Sequence, residues 1–198
     1  TGSCGWYLND GSGTFTDGSG FVGHSTGYGS FNSVRADLNQ DGLMDLLAFK
    51  DSVYYLENIP GSGFHYAVGL PVPGEWGFNT GDVGDVDGDG DPDIVVRGLS
   101  LLENAGDMTF SAPQTIVEED SGPVVRLADM DGDGDPDIIA QAGNPRAVVW
   151  WENDGGYFIE RHAITGTRGT DNEFVFLVED FDTDGDMDIA APLESGAP

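Results

Sequence analysis

Four short segments of the chain carry oxygen-bearing side chains at positions 1, 3, 5 and 9, a spacing suited to a hard metal ion. The segments read DLNQDGLMD, DVDGDGDPD, DMDGDGDPD and DFDTDGDMD, and they begin at Asp37, Asp85, Asp129 and Asp180. Each has Asp or Asn at positions 1, 3, 5 and 9 and glycine at position 6, where the backbone must turn sharply. Oxygens that converge in a tight loop suit calcium, which takes about 6–8 oxygen ligands. The pattern therefore predicts one calcium ion per loop, about four in all.

Other metals and other loop types fit the pattern less well. No histidine or cysteine lies in the four segments, which argues against zinc. An EF-hand needs glutamate at position 12, but Ala48, Val96, Ala140 and Ala191 stand there. The remaining alternative is a set of acidic turns without metal. In such turns the clustered carboxylates repel one another at neutral pH unless a cation compensates them.

The loops belong to a repeat whose features predict short strands. Their first residues are 48, 44 and 51 residues apart, and an apolar run such as IVV or IIA follows each loop. In three units a second apolar run ends in Glu-Asn, at Asn58, Asn104 and Asn153, before a glycine-rich turn and an aromatic residue. A period of this size with several short strands is typical of a propeller blade. We therefore predict an all-β fold, a β-propeller of four blades with about four short antiparallel strands each.

One blade is predicted to be split between the two ends of the chain. Residues 6–15 read as the second half of a unit, and the segment around Asp188 reads as the first half. The predicted single domain, 1–198, has blade units around 17–64, 65–110, 111–158 and 159–198, the last completed by 1–16. Three closures stay open: pairing within the chain, pairing with the next subunit in a head-to-tail filament, and continuation in a longer polyprotein.

The charge balance argues against several classes of function. The 198 residues include 7 Lys+Arg and 36 Asp+Glu, a formal net charge of −29. This charge argues against nucleic-acid binding and against attraction to an anionic membrane. No apolar run exceeds about five residues, whereas a membrane-spanning helix needs about 20, so no membrane span is expected. Cys4 is the single cysteine, so an internal disulfide is impossible.

No catalytic pattern stands out in the sequence. The three histidines, His24, His65 and His162, fall at unrelated positions of the repeat. There is no serine–histidine–aspartate or cysteine–histidine order, and the aspartates are too many to single out an acid–base pair. We therefore expect that the protein is not an enzyme. Arg35 and Arg126 precede calcium loops and are expected to pair with local acid.

The pattern D-x-D-x-D-G-x-x-D before an apolar strand, together with WWENDGG at 150–156, resembles the FG-GAP/VCBS repeats. These repeats occur in integrin alpha-chain propellers and in many secreted microbial and algal proteins. The resemblance covers nearly the whole chain and implies propeller blades, an extracellular location, and calcium held by positions 1, 3, 5, 7 and 9, with position 7 contributing its backbone carbonyl. The implied ligands are Asp37, Asn39, Asp41, Leu43, Asp45, Asp85, Asp87, Asp89, Asp91, Asp93, Asp129, Asp131, Asp133, Asp135, Asp137, Asp180, Asp182, Asp184, Asp186 and Asp188.

Two functions remain open, and sugar binding by any of four tryptophans would distinguish one from the other. We expect an extracellular calcium-binding structural or adhesion module, with head-to-tail assembly into a filament as one form of it. Its partners would be calcium, further copies of the chain, other extracellular proteins or glycans. The alternative is a carbohydrate-binding lectin of the same propeller type, in which Trp6, Trp76, Trp150 or Trp151 stacks on sugar rings. Neighbours in a strand point to opposite faces, so only one of Trp150 and Trp151 can lie in the core.

Overall fold

The described part of the chain is built from β-strands, turns and bends. The structure, a computed structural model, describes residues 7–18, 32–49, 52–70, 80–118, 121–143, 146–168 and 175–192. These residues contain no helix, which confirms the predicted all-β class. None of them, accordingly, belongs to a helix long and apolar enough to cross a membrane. The chain divides into two compact units, Thr1–Asn79 and Thr80–Pro198.

The first unit contains a hairpin and a four-stranded antiparallel sheet. The hairpin pairs β1 (Tyr7–Asn9) with β2 (Phe15–Asp17). The sheet has its strands in chain order: β3 (Asn32–Ala36), β4 (Asp45–Phe49), β5 (Val53–Ile59) and β6 (Gly63–Leu70). Alternate residues of β4 are buried, as expected for a strand with one face on a core.

The second unit contains two four-stranded antiparallel sheets and a hairpin. The first sheet consists of β7 (Gly81–Gly84), β8 (Asp93–Val96), β9 (Ser100–Leu102) and β10 (Gln114–Thr115). The second consists of β11 (Ser121–Ala128), β12 (Asp137–Ala142), β13 (Ala147–Asp154) and β14 (Tyr157–Arg168). The hairpin pairs β15 (Leu177–Glu179) with β16 (Asp188–Ala190).

The β11–β14 sheet is covered on both faces, which explains the continuous apolar run in β12. On one face Ile138 and Trp151 lie in a core cluster with Val95 and Leu99 of the preceding sheet region. On the other face Ile139 packs with residues that include Phe176, and Val178 of β15 and Ile189 of β16 lie against this cluster. A strand buried on both faces needs apolar residues in succession rather than in alternation.

Side-chain hydrogen bonds also join the first strands of the two sheets of the second unit. Thr80 Oγ1 accepts a hydrogen bond from the amide of Val125 at 3.3 Å, and Asp82 Oδ2 accepts one from Leu127 at 3.0 Å. Burial raises the pKa of Asp82, while its hydrogen bonds from backbone amides act in the opposite direction. A buried carboxylate at this position therefore links β7 to β11 directly.

The three four-stranded sheets correspond to the first three predicted repeats, and the fourth repeat is present as two separate hairpins. The sheets span 32–70, 81–115 and 121–168. The β1–β2 and β15–β16 hairpins, which carry the two predicted halves of the split unit, each form a two-stranded sheet. Closure into a four-bladed propeller, and the single domain 1–198, stay predictions.

Candidate metal centres

All four acidic loops share one turn, in which the aspartate at position 1 reaches across to the glycine at position 6. One carboxylate oxygen accepts a hydrogen bond from the glycine amide. The pairs are Asp37–Gly42 at 2.9 Å and Asp85–Gly90, Asp129–Gly134 and Asp180–Gly185 at 3.0 Å. The four glycines have φ between 87° and 103°, a conformation that side chains with a Cβ rarely adopt. The glycine that defined the repeat is thus required by backbone conformation.

Positions 3 and 5 tighten the same turn. Each side chain accepts a hydrogen bond from the amide two residues further along, so successive oxygens are turned towards the inside of the loop. The position 3 acceptors are Asn39, Asp87, Asp131 and Asp182, at 3.1–3.2 Å. The position 5 acceptors are Asp41, Asp89, Asp133 and Asp184, at 2.9–3.0 Å.

Position 9 is a buried carboxylate in the first three loops. Asp45, Asp93 and Asp137 open strands β4, β8 and β12 and are at most 1% exposed. In each, Oδ1 accepts a hydrogen bond at 2.8 Å from the backbone amide of an asparagine on the following strand or just after it. The second oxygen accepts from a position 2 amide in two loops and from the Tyr55 hydroxyl at 2.8 Å in the first. The position 9 side chain therefore ties the loop to the body of its sheet.

The asparagines that meet position 9 are functional residues that the sequence reasoning did not assign. Asn58, Asn104 and Asn153 also donate a side-chain hydrogen bond to the carbonyl of loop position 8, at 3.1–3.2 Å. The signal was present in the sequence as the recurring Glu-Asn pair. Its role could not be read there because it depends on the register between two strands.

Asn153 joins two different loops. Its side-chain nitrogen donates to Pro136 O at 3.1 Å in its own loop and to Val86 O at 2.9 Å in the preceding one. The neighbouring glycine, Gly156, lies so close to that loop that an added Cβ would be 3.3 Å from Asp87 Cβ. The loops that begin at Asp85 and Asp129 are thus connected through the hydrogen bonds of Asn153 and the close contact of Gly156.

Burial makes two position 9 carboxylates costly to ionise. The pKa of Asp93 and that of Asp137 are both raised to about 6, chiefly by burial, with a further contribution from the loop aspartates at positions 3 and 5. Burial and the nearby Asp45 also raise the pKa of Tyr55. A positive charge in the loop would offset both the desolvation and the repulsion.

The loops fit a calcium ion by their donor set and by their unpaired oxygens. Positions 1, 3 and 9 bring carboxylate oxygens within 4.8 Å of one another in three loops: Asp85, Asp87 and Asp93; Asp129, Asp131 and Asp137; Asp180, Asp182 and Asp188. The first loop has Asn39 at position 3 and so offers an amide oxygen there. Asp37 Oδ1 and Asp85 Oδ1 are buried without a hydrogen-bond partner among the described residues. Several groups could therefore hold metal ions, while the carbonyls of Leu43, Asp91, Asp135 and Asp186 stay predicted ligands.

The fourth loop has the same turn but a different setting at position 9. Asp188 is exposed, and its Oδ2 accepts a hydrogen bond from Phe181 at 3.1 Å. Among the described residues its strand, β16, pairs only with β15, so no third strand there supplies an asparagine.

The remaining candidate residues fall in different places. Trp151 is 5% exposed and belongs to the core, whereas Trp150 keeps part of its surface and stacks on His162. The two side chains thus lie on opposite faces of the sheet: Trp151 is buried, and Trp150 packs partly buried against the cluster that contains Ile139. Trp6 and Trp76 lie outside the described residues, as do Cys4 and His24. Arg126 donates a hydrogen bond to the Val125 carbonyl at 2.7 Å.

The fold and the loops together define the class of protein: an all-β repeat protein whose acidic turns are suited to metal ions. The FG-GAP-like repeat family matches residues 1–48 and 129–191. This is more than half of the chain, and the chain belongs to that family. No curated protein shows significant similarity to the chain.

A solved structure of a lectin from Agrocybe aegerita is similar to this chain. That work concerns the specific recognition of non-reducing terminal N-acetylglucosamine by the lectin. The TM-score is 0.63 at 23% identity, over 92% of this chain and 53% of the lectin. This chain therefore spans about half the length of the lectin, and the likeness shows a shared fold.

Proposed function

We propose that the chain is an extracellular calcium-binding β-propeller module with a structural or adhesive role. The observation that carries the proposal is the turn shared by all four loops, together with the convergence of oxygens at positions 1, 3 and 9 in three of them. Family membership supports the same conclusion. Calcium, when bound, supplies the positive charge that these carboxylates need.

The role of each loop residue follows from its contacts. Position 1 would bind the ion with one oxygen while the other stays on the glycine amide, which keeps the turn closed. Position 9 would bind it from the strand side and so connect the loop to the sheet. Four divalent ions would change the formal charge from −29 to −21, so the loaded protein stays strongly acidic.

Calcium titration by calorimetry tests the proposal. We expect about four ions per chain, with affinities near the 10⁻⁴–10⁻³ M typical of extracellular calcium modules. The variant Asp133→Ala should lose one ion, whereas Asp107→Ala, which removes an exposed aspartate outside the loops, should lose none. Binding that is equally weak in all three proteins would overturn the proposal.

We also propose that a β1–β2 hairpin, supplied by the same chain or by another copy of it, completes the β15–β16 sheet, as the split repeat predicts. Asn9 Oδ1 accepts hydrogen bonds from Gly11 and Gly13, the kind of turn that Asn153 makes with Gly156. Asp188 is in turn the position 9 aspartate whose sheet has two strands in the described part of the chain. The apolar side chains Tyr7, Phe15 and Leu177 of the two hairpins are exposed and would gain burial by pairing.

Light scattering after size exclusion, in calcium and then in chelator, distinguishes the closures. A 20.9 kDa monomer that expands in chelator supports closure within the chain. Large assemblies that dissociate in chelator support a head-to-tail filament. If Asn9→Ala changes neither mass nor stability, the hairpin does not complete the sheet in either form.

Carbohydrate binding is the second candidate, and one groove favours it. An open groove of about 370 Å³ beside the Asp85 loop is lined by Asp89, Glu103, Asn104, Thr109, Phe110 and Ser111. Hydroxyl, amide and carboxylate groups around one aromatic ring suit a sugar. The lectin of similar fold recognises terminal N-acetylglucosamine, which makes that sugar the first ligand to test.

Titration with N-acetylglucosamine tests this candidate. Phe110→Ala should abolish binding, while Tyr157→Ala, which removes an exposed aromatic outside the groove, should leave it unchanged. Absence of binding to the unmodified chain in calcium, or equal binding by both variants, would remove the groove from consideration.

A further inference from the structure

A second kind of ligand cluster lies on strands β13 and β14, away from the acidic loops. Glu152, Glu160 and His162 each offer one ligand atom, and these three atoms lie within 4.8 Å of one another. The strand register explains the cluster: Glu152 stands directly opposite Glu160, and Trp150 directly opposite His162. The four side chains therefore share one face of the sheet.

The histidine ring is held in place, and its Nε2 faces the carboxylate of Glu152. His162 stacks on Trp150 with ring centroids 4.2 Å apart and planes 17° apart. Its Nε2 lies 3.5 Å from Glu152 Oε2, is buried, and makes no hydrogen bond among the described residues. Neutral imidazole is a common metal ligand, so this nitrogen and the carboxylates that it faces offer three ligand atoms to one ion.

The two glutamates call for a cation between them. Like charges directly opposite each other on neighbouring strands destabilise a sheet. A divalent ion held between the two carboxylates would compensate both charges. The cluster thus has a histidine nitrogen, two carboxylates and a net charge suited to a divalent metal.

We propose that Glu152, Glu160 and His162 form a site for a zinc-class divalent ion, distinct from the calcium loops. Imidazole with carboxylates suits zinc, copper or nickel, whereas calcium prefers oxygen ligands alone. The chain would then bind two chemically different cations at two places in the repeat. The proposal is independent of calcium binding, because it shares no residue with the loops.

The β5–β6 sheet supplies a matched control. There Glu57 stands opposite His65, at the position where Glu152 meets Glu160. The described residues place no third metal-ligating group with that pair. His65 is therefore a histidine beside one glutamate, and its removal should not affect the zinc site.

Zinc titration of the full chain in saturating calcium is the test. We expect the parent to bind one zinc ion. His162→Gln should weaken the affinity at least about tenfold, since losing even a residue that supports a metal ligand costs about 10–100-fold. His65→Gln should bind as the parent does. Equal zinc affinity in the parent and His162→Gln, or displacement of zinc by excess calcium, would place the ion in the acidic loops and overturn the proposal.

Glu160→Gln keeps the proposal testable if His162→Gln fails to fold. This variant removes one ligand but also removes the repulsion from Glu152, so its zinc affinity should fall while its metal-free melting temperature stays equal or rises. A purely structural role for Glu160 predicts a lower melting temperature instead. Quenching of Trp150 fluorescence by nickel, absent in Trp150→Phe, gives an independent readout because the indole stacks on the ligating ring.

Discussion

The loops at Asp129 and Asp180 have the same pattern and the same internal turn, but they stand in different sheets. In the first, Asp137 is fully buried and accepts amides from Asn153 and Met130. In the second, Asp188 is exposed and accepts one from Phe181. The loop sequence is thus enough to form the turn, whereas burial of position 9 requires the third strand of a complete sheet.

The comparison also shows where a bound ion does most for the fold. A carboxylate kept ionised in a buried place costs free energy, and the raised pKa of Asp137 reports that cost. Calcium beside it would remove the cost and leave the hydrogen bonds in place. An exposed position 9 has less to gain, so calcium should stabilise the complete sheets more than the β15–β16 hairpin.

The largest expected effect comes from truncating position 9 in the two settings. Asp137→Ala leaves two amides without their acceptor, each a loss of about 1–3 kcal/mol when buried, so the free energy of unfolding should fall by about 2–6 kcal/mol. Asp188→Ala should cost about 1 kcal/mol or less, since its surroundings are solvated. Urea unfolding in chelator measures both, and equal losses would mean that the third strand contributes nothing.

Asn153→Ala should rank next and affect two loops at once. It removes hydrogen bonds to Val86 O and Pro136 O, which should cost about 1–3 kcal/mol. Calcium binding should weaken at both connected loops, whereas Asn104→Ala, whose side-chain nitrogen donates to Pro92 O in its own loop, should weaken one. Calcium calorimetry checks the count, and loss at a single loop in Asn153→Ala would show that the connection has no energetic effect.

Position 5 should matter through calcium alone. Asp133 is exposed and accepts one amide at 2.9 Å, so Asp133→Ala in chelator should change stability by no more than about 0.5 kcal/mol. In calcium at about ten times the dissociation constant, the lost site should lower stability by about 1.4 kcal/mol. Asp184→Ala is the matched variant at position 5 of the fourth loop, between β15 and β16. It should lower stability in calcium by less than Asp133→Ala does. Equal melting of Asp133→Ala and the parent in calcium would contradict the assignment of Asp133 as a ligand.

The smallest expected effect is on the pH dependence of binding. The pKa of Asp93 and Asp137 is about 6 in the folded chain, above the unfolded value of 3.8, so these groups favour the folded state below pH 3.8 and lose that contribution as pH rises through about 6. Calcium must displace the proton, so affinity at these two loops should fall about fourfold between pH 7.5 and 5.5. Calorimetry in two buffers should detect proton release at pH 5.5. Binding without proton release there would show that position 9 is not a ligand.

Local patterns in the sequence were sufficient to predict the loops and the strands that follow them. The glycine at position 6 and the alternating aspartates each act within nine residues, so their turn forms wherever the pattern occurs. Alternation along a strand likewise predicted that Trp150 and Trp151 would point to opposite faces, and the structure shows that Trp151 is the buried one. Such features need no knowledge of which strand pairs with which.

Features that depend on pairing between strands could not be predicted. Asn153 meets Asp137 because β13 lies beside β12, and Trp150 meets His162 because of the register between β13 and β14, which includes an irregularity after Glu152. The hydroxyl of Tyr55 takes the place of a position 2 amide in the first loop for the same kind of reason. Each is a long-range geometric consequence of sheet assembly.

Thermal unfolding of the full chain, in calcium and in chelator, tests the central claim most directly. Four sites at about ten times their dissociation constant should together contribute about 6 kcal/mol, which for a chain of this size corresponds to a rise of about 12–24 °C in melting temperature. Magnesium at the same concentration should have a much smaller effect, because it demands a tighter octahedral site. A melting temperature that is the same within about 1 °C in calcium and in chelator would contradict the account that calcium holds these loops.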